Sequence, residues 1–334
     1  MSEQKIAISM GDYNGIGPEV VLKSLSDSRV DPESLVLIGH QKIFEYWQSR
    51  LQLNLPPFTT ISGSRSNSPS GFIQVVNATE IPDKLPSPGQ IDAEAGRASM
   101  IAVEKGVQLC MQGFVSALVT APISKEAIHL AGYNWPGHTE FLAHLTGESS
   151  PLMVMVHDKL RIALVTSHIP LSQVASGITL DRVIDTIHRF NQSLHNDFSI
   201  DEPRIALLGL NPHAGDGGVL GQEENLVIQP AIDSTRAKGI HVSGPFAADA
   251  LFGNRKEREF DGILAMYHDQ GLIPFKTLSF GSGVNYTAGL PIIRTSPDHG
   301  TAFDIAGQGT ALESSFTSAL ELAWKLVKSR RELL

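Results

Sequence analysis

Short apolar runs rich in Val, Ile and Leu recur along the chain and alternate with longer stretches whose apolar positions repeat at helical spacing. The runs at 6–10, 35–38, 72–76, 117–120, 152–156, 162–166, 205–208, 263–266 and 292–294 predict strands. Most are apolar at successive positions, so both faces must be covered, as in strands lying between helices. Helical spacing covers about 92–112 and 312–331, with a further helix opening at Thr179–Asp181 and another after Gly221. Thr179 or Asp181 can cap the former, which places Val183, Ile187, Phe190 and Leu194 on one stripe. In the last helix the stripe is Leu312, Phe316, Leu320, Trp324 and Val327, and the final turns are basic, as suits a helix C-terminus. Strands alternating with helices imply an α/β fold with a largely parallel sheet. Segments 62–71 (SGSRSNSPSG) and 82–90 read as surface loops, each too short to be an interdomain linker, and no repeat is visible.

Composition narrows the class. A chain of 334 residues, 42% hydrophobic, can bury one large α/β unit or two smaller ones without staples. The one cysteine, Cys110, excludes an internal disulfide and fits a reducing, cytoplasmic setting. No run approaches the roughly 18 apolar residues of a membrane helix, and the short polar start does not read as a signal peptide. The net charge of −9 and the scattered basic residues argue against nucleic-acid binding. They leave room for a small anionic substrate held by local basic groups.

Three of the 12 histidines share a context. His168 ends LRIALVTSH, His213 ends RIALLGLNPH and His268 ends GILAMYH, each just past an apolar strand. That edge of an α/β sheet is where ligands bind, and three imidazoles there suit a catalytic divalent metal with positions left open. His40 ends SLVLIGH in the same way, so strand-end position alone does not single out a ligand. The flanks do more: Ile-Pro-Leu follows His168, AGDGG follows His213 and Asp-Gln-Gly follows His268, whereas a plain helical stretch follows His40. Asp269 or Asp216 could orient a ligating ring. His129, His144, His188, His195 and His241 read as surface or locally bonded.

Further candidates are polar groups in Gly- and Pro-rich surroundings. Lys276, Asn285 and Arg294 stand nine residues apart in such a stretch and together could clamp a phosphate; as isolated residues they would be solvated charges. His138 and Thr139 follow Gly137 at a helix start, where they could meet an anionic ligand or where Thr139 could simply cap. Thr120-Ala121-Pro122 with Lys125 forms another polar strand-to-helix turn. Neither GxGxxG, GxxxxGK[ST] nor GxSxG is present, so no nucleotide or hydrolase fingerprint appears.

The strings GIGPE (15–19), TAPISK (120–125), GHTEF (137–141), TSHIPL (166–171), LNPHAGDGG (210–218), AMYHDQGL (265–272), GVN (283–285), GLP (289–291) and RTSPDHGTA (294–302) span nearly the whole chain. In them the sequence resembles the 4-hydroxythreonine-4-phosphate dehydrogenase family of pyridoxine (vitamin B6) biosynthesis. The resemblance implies two α/β domains flanking a cleft, similar to isocitrate and isopropylmalate dehydrogenases: about 1–125 plus 300–334, and about 126–299. It implies His168, His213 and His268 as ligands of zinc, magnesium or cobalt, and His138, Thr139, Lys276, Asn285 and Arg294 as substrate contacts. It further implies NAD or NADP bound without a Rossmann fingerprint, and a homodimer sharing the metal site. The implied reaction oxidises 4-phosphooxy-L-threonine to a 2-amino-3-oxo acid that decarboxylates to 3-amino-2-oxopropyl phosphate. His138 and Asp249 are the candidate general bases, and Asp249 could instead belong to the metal site. The family's relatives acting on D-threonate or D-erythronate 4-phosphate are an alternative. Tyr13-Asn14 replaces the family's usual Pro-Ala and raises the question of an altered pocket rim or substrate preference. From other classes, a metal-dependent phosphohydrolase or a non-catalytic phosphometabolite-binding protein would share the same residues.

Overall fold

The computed structural model describes residues 4–27, 30–62, 70–80, 85–148 and 150–332. The predicted loop at 62–71 lies mostly outside these residues; of the loop at 82–90, the described part from 85 onward is irregular. The chain divides into two compact units, one of Met1–Pro151 and Leu290–Val327, the other of Leu152–Gly289 and Lys328–Leu334.

The first unit opens with β1 (Ile6–Ser9), α1 (Gly17–Leu25), β2 (Leu35–Gly39), α2 (Gln41–Leu51), β3 (Phe58–Thr60) and β4 (Ile73–Asn77). It continues with α3 (Ala93–Met111), β5 (Ala117–Thr120), α4 (Lys125–Leu130) and α5 (His138–Thr146). The second unit runs through β6 (Leu152–His157), β7 (Leu160–Leu164), α6 (Val174–Gly177), α7 (Leu180–Asn196), β8 (Arg204–Leu208) and α8 (Gln229–Arg236). Then come β9 (His241–Phe246), α9 (Ala248–Gly253), β10 (Gly262–Ala265), α10 (His268–Ser279) and β11 (Val284–Ala288). The chain ends with β12 (Ile293–Pro297) in the first unit and α11 (Ser314–Glu332).

The first unit's strands lie in the order β3-β4-β2-β1-β5-β12, every neighbouring pair parallel. Ile6, Ala7 and Ile8 of β1 are fully buried, as are Leu118 and Val119 of β5, because helices cover both faces. Helix α3 starts where the Asp92 carboxylate accepts from the amide of Glu94 at 2.6 Å. Its buried face, including Ala95, Ala102 and Val103, packs on β1, β2 and β5. Gly96 lies so close to α4 that a Cβ there would stand 2.3 Å from the carbonyl carbon and oxygen of Ala127. These contacts keep α4 and α5 with the first unit, beyond the expected boundary near 125, and the division falls at 151/152 and 289/290.

The second unit's strands are ordered β11-β6-β7-β10-β8-β9. Four of them, β7, β10, β8 and β9, run parallel, whereas β11/β6 and β6/β7 are antiparallel. The largely parallel expectation therefore holds throughout the first unit and only in part here. The cause is the connection Asp158–Lys159 with Asp158 at φ +51°: two residues can reverse a strand but cannot cross over to a parallel neighbour. Ile263 and Ala265 of β10 join a core cluster with Leu272 and Phe275 of α10, while Gly262, pointing oppositely, meets Phe190 of α7.

Several elements escape the apolar pattern. β3 has only three residues, and β9 and β11 are interrupted by Pro, Gly or polar positions. The last helix begins at Ser314, so Leu312 is not part of its stripe and is 76% exposed. Just before it, Glu19 Oε1 accepts from the Ala311 amide at 2.9 Å, and Lys23 Nζ donates to the carbonyls of Gly309 and Ala311, so the lysine engages carbonyls that an earlier helical start would pair with helical amides.

The turn after β1 buries an ionisable group. Asp12 Oδ1 accepts from the Asn14 amide at 2.9 Å, while Oδ2 has no hydrogen-bond partner among the described residues. Burial raises this carboxyl to about 6.

Two stability measurements check this account. Gly96→Ala should lose about 1–3 kcal/mol, because overpacking against α4 outweighs the better helix propensity of Ala. Gly253→Ala, with nothing among the described residues within 4 Å of its Cβ, should be neutral or better, and equal thermal midpoints for the two variants would refute the close approach. For Asp12, the folded state holds its proton more tightly than the unfolded chain, so stability is favoured below about pH 4 and falls as pH rises towards 6. Asp12→Asn removes this titration. Its unfolding free energy relative to the parent should improve by on the order of 1–3 kcal/mol from pH 4 to pH 7 in denaturant titrations.

Candidate active site

Strand pairing in the second unit sets the first constellation. β7 pairs in parallel with β10, and β10 with β8, so His168, His268 and His213 follow the carboxyl ends of three consecutive parallel strands. The rings of His168 and His268 face each other with centroids 5.9 Å apart and planes at 43°. With metal–nitrogen bonds near 2.1 Å, two imidazoles on one ion would have centroids about 5–6 Å apart. His268 Nδ1 lies 2.7 Å from Asp269 Oδ1, which orients the ring and leaves Nε2 for a ligand. In chemistry and spacing this pair fits a divalent transition ion. Among the described residues no three His, Cys, Asp or Glu side chains gather as a ready-made metal group. His213 is exposed at the adjacent strand end.

The three strand ends are laced together by side chains. Thr166 Oγ1 donates to the Met266 carbonyl at 2.7 Å, joining the β7 and β10 exits. Gln270 Oε1 accepts from the Met266 amide at 2.7 Å and its Nε2 donates to the Gly209 carbonyl at 2.6 Å, joining β10 to β8. Sequence reasoning did not single out Thr166 or Gln270, although both lie inside the TSHIPL and AMYHDQGL strings.

His213 itself stands in an unusual backbone. His213 (φ +52°), Ala214 (+51°), Gly215 (+79°), Asp216 (+43°) and Gly217 (+66°) are all left-handed. Each of the three non-glycine residues costs about 1–2 kcal/mol in that region. A run of this kind persists only where surrounding contacts fix it, and such strain gathers at functional sites.

The first unit carries the second constellation. Arg294 on β12 is 1% exposed, and its Nε and Nη2 donate to Thr120 Oγ1 at 3.1 and 2.6 Å. Burial pushes the guanidinium down to about 9, still protonated at neutral pH. His138 opens α5 after Gly137, whose lack of a side chain leaves the helix start without a side-chain cap. Its Nε2 is buried and has no hydrogen-bond partner among the described residues. Burial, helped by the Arg294 charge, holds this imidazole well below its usual pKa and therefore neutral. Thr139 is the second helical residue and not the cap. Thr120, which positions Arg294, was legible only as a polar residue at a strand end.

The remaining candidates are placed separately. Lys276 is exposed on α10, and Asn285 on β11 keeps a buried Oδ1 with no hydrogen-bond partner among the described residues. Both belong to the second unit and Arg294 to the first, so the even spacing in sequence does not reflect one element or one unit. Asp249 is exposed in the first turn of α9. His40 is a cap: its Nδ1 accepts from the Lys42 amide at 3.2 Å, which needs the neutral ring that burial favours. Tyr13-Asn14, the departure from the family's usual pair, lies inside the first unit. Both are buried, the Tyr13 carbonyl accepts from Trp47 Nε1 at 3.0 Å, and Asn14 Oδ1 accepts from the Ser87 amide at 2.8 Å. The same turn uses its own amides, Gly15 to the Asp12 carbonyl and Ile16 to the Thr301 carbonyl, so it does not offer the pyrophosphate cradle of a Rossmann turn.

Comparison with known proteins adds the lineage. The family model described as pyridoxal phosphate biosynthetic protein PdxA matches residues 31–323. A 4-hydroxythreonine-4-phosphate dehydrogenase of Prosthecochloris aestuarii is 46% identical over 97% of both chains. The D-threonate 4-phosphate dehydrogenase of Salmonella typhimurium is 40% identical, covering 98% of this chain and 100% of its own. A crystal structure of 4-hydroxythreonine-4-phosphate dehydrogenase from Klebsiella pneumoniae superposes with a TM-score of 0.88 at 40% identity, over 98% of each chain. Matched along nearly its whole length by dehydrogenases of one lineage, this α/β chain belongs to the PdxA family and is an oxidoreductase.

Proposed function

We propose that the protein oxidises 4-phosphooxy-L-threonine at its 3-hydroxyl with NAD or NADP, giving a 2-amino-3-oxo acid that loses carbon dioxide to leave 3-amino-2-oxopropyl phosphate. The observation that carries this is the placement of His168, His268 and His213 on three adjacent parallel strand ends, in a chain 46% identical to a protein named for that substrate. The three histidines would hold the divalent ion (zinc, magnesium or cobalt), which when bound supplies Lewis-acid polarisation. The nicotinamide supplies the hydride acceptor, and no residues are assigned to it.

The chain's own groups do the rest. Arg294, fixed by Thr120, binds the phosphate together with Lys276 and Asn285, and Thr139 adds a hydroxyl at the start of α5. Anchoring the phosphate away from the reacting carbon fixes the orientation of that carbon. His138 Nε2, neutral and without a hydrogen-bond partner among the described residues, takes the hydroxyl proton as the hydride leaves. Asp269 holds the His268 ring. Asp249, exposed on α9, is the second candidate for proton transfer. Exposed apolar side chains flank the histidine loops, among them Leu171, Val219, Leu226 and Ile273. They support a homodimer in which a second copy covers these loops. No helix among the described residues is long and apolar enough to cross a membrane, and the proposed setting is the cytoplasm.

A second reading is favoured by the Salmonella typhimurium relative: oxidation of D-threonate 4-phosphate. Reduction of NAD or NADP, followed side by side with the two substrates, separates them. Faster turnover of 4-phosphooxy-L-threonine is expected, and the reverse order would replace the first reading with the second. Arg294→Ala should raise KM for the phosphorylated substrate about tenfold to a hundredfold, the worth of charge-assisted hydrogen bonds. An unchanged KM would remove Arg294 from the phosphate site.

A further inference from the structure

The left-handed turn that carries His213 is held by groups outside it. Just after β8 the amides of Leu210 and Asn211 both donate to Glu224 Oε1, each at 2.7 Å. Asn211 Nδ2 donates to Glu224 Oε2 at 2.9 Å and to Glu223 Oε2 at 2.8 Å. Glu224 is 3% exposed and opens the π-type turn Glu224–Ile228, a form found often at functional sites. Gly215, at φ +79°, brings its backbone against the same carboxylate: a Cβ there would stand 2.6 Å from Glu224 Oε2. One carboxylate therefore grips the loop at its entrance (210–211), touches it in the middle (215) and anchors it at its exit (224).

The chemistry of this clamp is specific. Two backbone amides and one side-chain amide converge on a buried anion, and charge-assisted bonds of this kind are short and strong. A neutral amide at position 224 would turn donors towards Asn211 Nδ2 or the backbone amides and leave buried groups unpaired. The turn between these anchors holds residues that avoid left-handed backbone when unconstrained, so the clamp decides where the His213 ring is presented.

We infer that Glu224 and Asn211 are positioning residues that fix the turn at 213–217 in the shape presenting the His213 imidazole to a divalent ion. The inference rests on the assignment of His213 as a metal ligand. Neither residue is a ligand; both act through the backbone that carries one. Outer partners of this type set metal affinity by tenfold to a hundredfold.

The test is a titration of metal-free full-length protein with Co²⁺, following the visible absorption of the bound ion, for the parent, Glu224→Gln, Asn211→Ala and His213→Ala. Circular dichroism establishes that each variant is folded at the assay temperature. Asn211→Ala removes no backbone acceptor and serves if Glu224→Gln does not fold. The expected result is a Co²⁺ Kd raised tenfold to a hundredfold in Glu224→Gln and Asn211→Ala, with a shifted absorption band showing altered coordination. A merely structural clamp would lower the unfolding midpoint and leave Kd and spectrum as in the parent. If His213→Ala loses Co²⁺ binding while folded Glu224→Gln or Asn211→Ala binds as tightly as the parent, the inference is overturned and the ligand assignment stands. If His213→Ala itself binds as the parent does, the ligand assignment fails and the inference falls with it.

Discussion

Parallel pairing of β7, β10 and β8 governs where the second unit's three candidate histidines leave the sheet. Parallel strands bring their carboxyl ends to one edge, so three segments far apart in sequence leave the sheet side by side. Between β7 and β10 the backbone ladder runs two bonds past β7, from the Val165 amide to the Ala265 carbonyl and from the Thr166 amide to the Met266 carbonyl, and side chains add to it there. Thr166 and Gln270 fasten backbone at Met266 and Gly209 to neighbouring exits. Asp269 then fixes a ring and Glu224 fixes a turn. The order runs from sheet register to strand exits, from exits to loops, and from loops to imidazoles.

In the first unit, burial is the main source of unusual acid–base behaviour. It lowers Arg294, lowers His138 and raises Asp12, in each case disfavouring the charged form. The His138 shift is reinforced by the nearby positive charge of Arg294. A protonated guanidinium thus lies near an imidazole held neutral, the pairing on which the proposed roles of Arg294 and His138 rest. The Asp12 carboxyl belongs to the turn after β1, which is closed by its own hydrogen bonds.

Some expectations changed for identifiable reasons. An apolar run does not record strand direction, so the hairpin at Asp158–Lys159 reads the same as a parallel crossover until the connection is measured. Leu312 matches the apolar stripe of the last helix, but the Ala311 carbonyl is already engaged by Lys23. Tyr13-Asn14 departs from the family's usual pair, and the sequence leaves open what that departure does. In the structure both residues are internal staples, one to Trp47 and the other to Ser87.

The sequence alone determined the α/β class, most of the strands and the three histidine-bearing strand ends, because hydrophobic period and strand-end Gly and Pro are local signals. The family strings, carried by rare residues in long matches, marked the candidate ligands and substrate contacts. What only the tertiary structure decided is which groups meet. The 5.9 Å approach of His168 to His268 follows from strand order, which no local pattern encodes. The neutrality of His138 follows from its burial and from a charge on a strand more than a hundred residues away in the chain. The left-handed turn at His213 depends on Glu224, a glutamate that in sequence resembles any surface acid. Its role exists only because folding removes it from water and surrounds it with donors.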